Sequence, residues 1–328
     1  MSKQQNATNV IAMPNQNYIP DESPYYIPFG NFETVKNIID SKRFYPIWIT
    51  GLAGNGKTQL IEQACAKAKR EFIRINFTTE TDEMDLIGGI RLENGNTVFK
   101  DGPVVEALRR GAILLLDEVD IGHTNKIMCL QSVMEGKGVF IKATGEKVPA
   151  APGFNIFATS NTKGKGSEDG RFIGTNIMNG AFLDRFAGTI YQDYPPPEVE
   201  NKILKHYAVD YMWTSKNKTK TDVTKDERDE LGILIQTLIQ WANNIRKAFH
   251  DGAVQCEEVI TTRTLINIIQ GFAILGDKNK AIELACERYD ENTKDALMDF
   301  YKKIDPTNVA VTSDIEEADA IDPTYASI

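Results

Sequence analysis

The 328-residue chain is poor in the residues that build metal centres and disulfide frameworks. Its four cysteines, Cys65, Cys129, Cys256 and Cys286, lie far apart and form no CxxC pair. Three scattered histidines, His123, His206 and His250, complete no zinc pattern, so reduced thiols on helices are expected. No apolar run approaches the roughly 20 residues of a membrane helix, and no membrane insertion is expected. The opening stretch, MSKQQNATNVIAMPNQNYIPDESP, is polar without a sustained apolar segment and does not read as a signal peptide. A cytoplasmic location is the expectation. Basic charge is also scarce: 46 Asp and Glu against 37 Lys and Arg leave a net charge of −9. That balance disfavours a nucleic-acid-binding surface.

What is present is alternation. From about Tyr25 to Tyr194, short apolar runs separate helical stretches: IWIT (47–50), FIRINF (72–77), AILLLD (112–117), NIFATS (155–160) and TIYQDY (189–194). Nearly continuous apolar strands alternating with helices predict an α/β fold, a parallel sheet covered on both faces. Two hairpins interrupt it. In GIRLENGNTVF the pair Asn94-Gly95 is a strong type I′ turn signal, and in GVFIKATGEKV (138–148) the turn falls at or near Gly145.

After YPPPE the chain turns wholly helical. Pro197 suits a helix start, and apolar residues recur with helical spacing from Leu231 to Phe249. Before that stripe the charged stretch TSKNKTKTDVTKDERDE reads as an exposed excursion, and further helices are expected over roughly 262–276 and 279–303. The expected organisation is a flexible leader over 1–24, an α/β domain over 25–195, a helical domain over 196–305 and an acidic, disordered tail over 306–328.

The chemistry begins in WITGLAGNGKT. A strand runs into Gly51, Gly54, Asn55, Gly56, Lys57, Thr58 and Gln59, and a helix follows: the P-loop pattern in its required context. Glycines let backbone N–H groups fold around phosphate, and the helix N-terminus favours the anion. Lys57 can reach the β- and γ-phosphates of ATP, and the Thr58 hydroxyl can bind Mg²⁺. The strand AILLLD then delivers Asp117 to its C-terminal end, where it can hold Mg²⁺, and Glu118 follows as a candidate general base. Asn161 ends a third strand, where an amide can bond both the attacking water and a phosphate oxygen.

In order, YIPFGNFE, GLAGNGKT, RINFTTETDEMDLIGG, FKDGPVVEALRRGAILLLDEVD, LQSVMEGKGVF, FNIFATSNT, NGAFLDRF and TTRTLINIIQGFA resemble the AAA+ ATPases. The resemblance is to the MoxR-like branch, and within it to the CobS-like ATPase subunits of aerobic cobaltochelatase. It implies a five-stranded P-loop core with a helical lid, and makes the hairpins pore-facing inserts of a hexameric ring. It also implies an Mg-ATP-dependent activity on a partner, with a von Willebrand A-domain protein as the associate. By the same resemblance Asn161 is sensor 1, Arg263 sensor 2, and Arg185 the arginine finger offered to a neighbour.

Competing readings stay open. Arg185 could be a surface charge on a core helix, Arg171 a second finger, and Arg263 an ordinary first-turn residue of its helix; as a sensor, Arg263 could act on its own nucleotide or a neighbour's. Arg109 and Arg110 read as helix C-terminal cations, Lys163 and Lys165 as solvated loop charges, and His123 as a loop histidine. The functional alternatives are a cobalt-inserting chelatase subunit, and a nucleic-acid motor or nucleotide-dependent scaffold.

Overall fold

The computed structural model describes residues 17–164, 166, 175–213, 224–251 and 259–306. Arg171, Lys165 and Cys256 lie outside them. The chain runs α1 (Phe32–Asp40), β1 (Ile47–Thr50), α2 (Lys57–Ala68), β2 (Phe72–Asn76), α3 (Glu83–Ile87), β3 (Gly88–Glu93), β4 (Asn96–Asp101), α4 (Pro103–Arg110) and β5 (Ile113–Asp117). Two short turns, α5 (Thr124–Ile127) and α6 (Gln131–Met134), lead to β6 (Val139–Ile141), β7 (Glu146–Val148), β8 (Asn155–Ser160), α7 (Gly180–Leu183) and β9 (Gly188–Tyr191). Five helices follow: α8 (Pro197–Trp213), α9 (Lys225–His250), α10 (Thr262–Leu275), α11 (Lys278–Cys286) and α12 (Glu291–Ile304).

Five strands pair in parallel in the order β2–β5–β8–β1–β9. Side chains alternate across this sheet, which is why its inner strands are apolar throughout. Ile113 and Leu115 pack with Leu60, Ile61, Phe32 and Ile39 on one face, while Leu114 and Leu116 join Val104, Leu108 and Val133 on the other. Phe182 and Phe186 belong to that second face, and Phe186 meets Trp48 edge-on with ring centroids 5.1 Å apart. The parallel arrangement brings the C-terminal ends of β1, β5 and β8 to one sheet edge.

Both hairpins form separate two-stranded sheets. Asn94 (φ 50°) and Gly95 (φ 79°) supply the left-handed pair a type I′ turn requires, and Gly145 (φ 72°) serves the second hairpin. Arg109 ties the hairpins together. Its Nε donates to Asp101 at 2.7 Å, and its two terminal nitrogens donate to Glu146 at 2.8 Å each. A role beyond helix-end charge thus comes from contacts far apart in sequence.

Several boundaries differ from expectation. Residues expected as leader are docked: Phe72 N–H bonds the Tyr18 carbonyl, and Gln63 bonds both Ser23 and Asp21. Helix α9 begins at Lys225, so the end of the charged stretch is helical rather than an excursion. The helix expected over 279–303 is two helices, because Asp290 caps a new start by accepting from Thr293 N–H at 3.1 Å. Helices α8 to α12 enclose their own apolar core around Leu238, Trp241, Ile268, Ile282 and Tyr301, and Trp241 Nε1 donates to the Leu297 carbonyl at 3.0 Å.

Candidate nucleotide-binding site

The loop between β1 and α2 turns through three glycines at positive φ: Gly51 (149°), Gly54 (68°) and Gly56 (89°). Two of them also admit close neighbours. A Cβ on Gly51 would stand 2.1 Å from the Gln192 carbonyl oxygen, and one on Gly54 would stand 2.8 Å from Thr261 Cβ. Asn55, buried, donates from Nδ2 to the Gln192 carbonyl at 2.5 Å, and Tyr194 Oη donates to the Ala53 carbonyl at 2.7 Å. The segment after β9 therefore forms a wall of the loop. The residue pattern predicts one strand over 189–194; the strand ends at Tyr191, which frees Gln192 and Tyr194 for this task. Their only local signal was the polar run QDY at a strand end.

Helix α2 starts at Lys57, and the N–H groups of its first turn have no intrahelical acceptor, as in any helix. Gln59 is exposed on that turn. Lys57 is buried, and its ammonium donates to the carbonyls of Gly51 (2.7 Å) and Leu52 (2.9 Å) and to Asn161 Oδ1 (3.1 Å). Burial pushes its pKa down to about 8; Asp120, Asp117 and Glu118 oppose that shift, and the Arg263 charge adds to it. An ammonium so placed gains from an incoming polyanion.

Asp117 ends β5 almost fully buried. The Thr58 hydroxyl donates to its Oδ1 at 2.9 Å, the Thr159 hydroxyl donates to the same oxygen, and Arg74 Nη2 lies 2.5 Å from Oδ2. Arg74 reaches it from the neighbouring edge strand β2, a contact that sequence spacing did not show. A hydroxyl and a carboxylate 2.9 Å apart are a hard-oxygen donor pair that fits Mg²⁺. Glu118 occupies the left-handed region (φ 56°, ψ 43°), rare for a residue with a side chain, and its N–H bonds Thr159 Oγ1 at 3.0 Å. The turn takes the chain off the strand directly after Asp117.

Asn161 follows β8, and the loop beyond it is pinned by fully buried Asp120, whose Oδ2 accepts from Thr162 N–H (3.2 Å) and Oγ1 (2.9 Å). Arg263 is in the first turn of α10, whose cap residue Thr261 packs on Gly54. The structure thus gathers Lys57, Thr58, Asp117, Glu118, Asn161 and Arg263 of one chain. Arg185 has other partners: its Nε donates to Glu135 at 3.1 Å, and Nη1 bonds the Ala181 carbonyl.

A P-loop leaving an inner strand of a five-stranded parallel sheet, with an acidic strand end two strands away and the start of α10 packed on the loop, defines an AAA+ ATPase. Residues 46–186 match the AAA domain (dynein-related subfamily). Aerobic cobaltochelatase subunit CobS of Sinorhizobium sp is 28% identical over 265 residues, 79% of this chain and 74% of that protein. An uncharacterized protein of Staphylococcus epidermidis is 30% identical over 228 residues, 68% of this chain and 76% of its own length. Protein NorQ of Paracoccus denitrificans is 32% identical over 141 residues, 43% of this chain and 52% of NorQ. The chain belongs to the MoxR-like AAA+ ATPases, close to CobS, and it is an ATP-hydrolysing enzyme. Among the described residues no helix is long and apolar enough to cross a membrane.

Proposed function

We propose that this ATPase works as a hexameric ring that remodels or matures a partner protein complex, with each hydrolytic site completed by the next subunit. The observation that carries the reading is that Arg185 bonds Glu135 and the Ala181 carbonyl, while Lys57 bonds the carbonyls of Gly51 and Leu52 and the side chain of Asn161. In this reading Gly51, Gly54, Asn55 and Gly56 shape the cradle, and N–H groups through Gln59 face the phosphates of ATP. Lys57 exchanges its bonds to loop carbonyls for the β- and γ-phosphates. Thr58 and Asp117 hold Mg²⁺, which when bound neutralises phosphate charge. Glu118 takes the proton of the attacking water, and Asn161 orients that water. Arg263 stabilises phosphate charge from the same chain, and Arg185 does so for the neighbour's.

A von Willebrand A-domain protein is the proposed associate, and the two exposed hairpins are the proposed contact with the substrate. Leu92 and Phe140 are exposed apolar side chains on them. A second reading, a subunit that drives cobalt insertion into a corrin, is favoured by the match spanning 74% of CobS. The test is Glu118→Gln. It should bind ATP normally, lose turnover by about 10²-fold or more, and sediment as a hexamer with ATP. A von Willebrand A-type protein held by this ATP-locked form supports both readings, and cobalt insertion by the pair supports the second. Unchanged turnover removes Glu118 from the mechanism, and a monomer under all nucleotide conditions refutes the ring.

A further inference from the structure

A polar chain runs from the P-loop into the helical region and ends at Arg263. It begins with Tyr194, whose hydroxyl donates to the Ala53 carbonyl at 2.7 Å. Over the Tyr194 ring, 4.0 Å from its centroid, stands the guanidinium of Arg246 from α9. Arg246 grips Glu200 of α8 with both terminal nitrogens, at 3.0 and 2.9 Å, and donates from Nε to the Ile260 carbonyl at 2.9 Å. Glu200 Oε1 accepts one more bond, from the Thr262 hydroxyl at 2.6 Å. Thr262 opens α10, and Arg263 is the next residue.

Burial makes this chain informative. Glu200 is 0% exposed and Arg246 is 9% exposed, so both charges have left water and depend on one another and on Thr262. A buried pair of this kind is a poor source of stability compared with apolar packing, and its better attested use is to fix one geometry against alternatives. The geometry fixed here joins α8, α9 and the start of α10 to the P-loop. Independently, Thr261 packs so closely on Gly54 that a Cβ there would be 2.8 Å from Thr261 Cβ. The Arg263 charge is felt at Lys57.

We propose that Tyr194, Arg246, Glu200 and Thr262 are positioning residues that clamp the start of α10 onto the P-loop, so that Arg263 acts on the nucleotide held by its own chain. The proposal rests on the reading of Lys57 and its loop as the ATP site. None of the four has to touch the nucleotide. They set where Arg263 stands and how the Ala53 carbonyl is oriented, and loop and helix start then move as one piece.

The experiment is a double-mutant cycle on the affinity of the full chain for a fluorescent ATP analogue, at dilutions where it is unassembled. Tyr194→Phe keeps the ring under Arg246 and deletes only the hydroxyl bond, so folding is retained and melting temperature serves as the control. Affinity should fall roughly three- to tenfold in Tyr194→Phe and about tenfold or more in Arg263→Ala. Their combination should bind within about twofold of Arg263→Ala alone, because residues acting as a unit are not additive. A purely structural Tyr194 would shift melting and leave the two losses multiplicative, which overturns the clamp. No loss in Tyr194→Phe overturns it as well. Loss in Arg263→Ala only after ring assembly overturns action within one chain. Lys57→Ala separates the premises: if it binds like the wild type, the nucleotide-site reading fails; if it loses binding while the cycle is additive, only the clamp fails.

Discussion

Arg185 and Glu135 form an ion pair of 3.1 Å that joins the turn after α7 to the end of α6. Lys137, 2.7 Å from the other carboxylate oxygen of Glu135, completes the group, and the two cations, Lys137 foremost, hold the Glu135 carboxyl below the usual range. The guanidinium of Arg185 is further tied to the Ala181 carbonyl. Phe182 and Phe186 anchor the same turn in the core of the sheet. Arg185 is therefore an arm held on a rigid mount, which the finger role proposed for it requires.

Removing the arm and removing its mount should give different results. Arg185→Ala should cut ATP turnover of the assembled protein by about 10³-fold, with ATP affinity of dilute chains unchanged. Glu135→Ala should cut turnover by a smaller, several-fold factor, since the arm remains but loses its orientation. Steady-state ATPase assays across protein concentration separate the two. Normal turnover in Arg185→Ala would return Arg185 to a surface charge.

Asn161→Ala should slow single-turnover hydrolysis by about 10²–10³-fold, the usual cost of deleting one oriented donor at a reacting centre. Affinity for ATP should change by less than tenfold, because in the nucleotide-free chain the carbonyls of Gly51 and Leu52 still hold Lys57 in place. Equal losses in binding and turnover would mean that Asn161 serves only to place Lys57.

Arg74→Gln should lower the stability of nucleotide-free protein by about 1–2 kcal/mol, because it strips buried Asp117 of its cationic partner. The figure is well below that for a fully buried pair since the Arg74 side chain is 43% exposed and solvent screens it. Mg·ADP should restore most of the loss by supplying another cation at Asp117. Melting curves with EDTA, with ADP alone and with Mg·ADP decide this, and a loss unaffected by Mg·ADP would count against a metal at Asp117.

Cys129 and Cys286 should react slowly. Burial pushes Cys129 up to about 11 and Cys286 up to about 12. Against an ordinary thiol near 8.5, the thiolate fraction of Cys129 at neutral pH falls by roughly 10²-fold or more. In a Cys256→Ser background, alkylation should be that much slower in folded than in urea-unfolded chain. Its rate should climb about tenfold per pH unit until near pH 11 for Cys129. Fast modification at pH 7 in the folded protein would refute the buried setting.

Short-range pattern determined much of this protein. A glycine loop between an apolar strand and a helix, and an apolar strand ending in Asp-Glu, are local arrangements, and the residues on them marked both the sheet and its edge. Asn94-Gly95 marked a turn for the same reason: the conformation depends on those two residues alone. Contacts across elements were another matter. Arg74 reaches Asp117 only because β2 pairs beside β5, and Arg109 joins two hairpins only because α4 ends between them. Gln192 and Tyr194 become the wall of the P-loop because β9 pairs with β1 in parallel and releases the chain at the same edge. The buried link from Tyr194 to Thr262 spans residues 194, 200, 246 and 262, which no helical or strand period relates. Local conformation follows from dihedral preference and side-chain period, both readable along the chain; which charges meet, and which are taken out of water together, is settled only when separate elements pack.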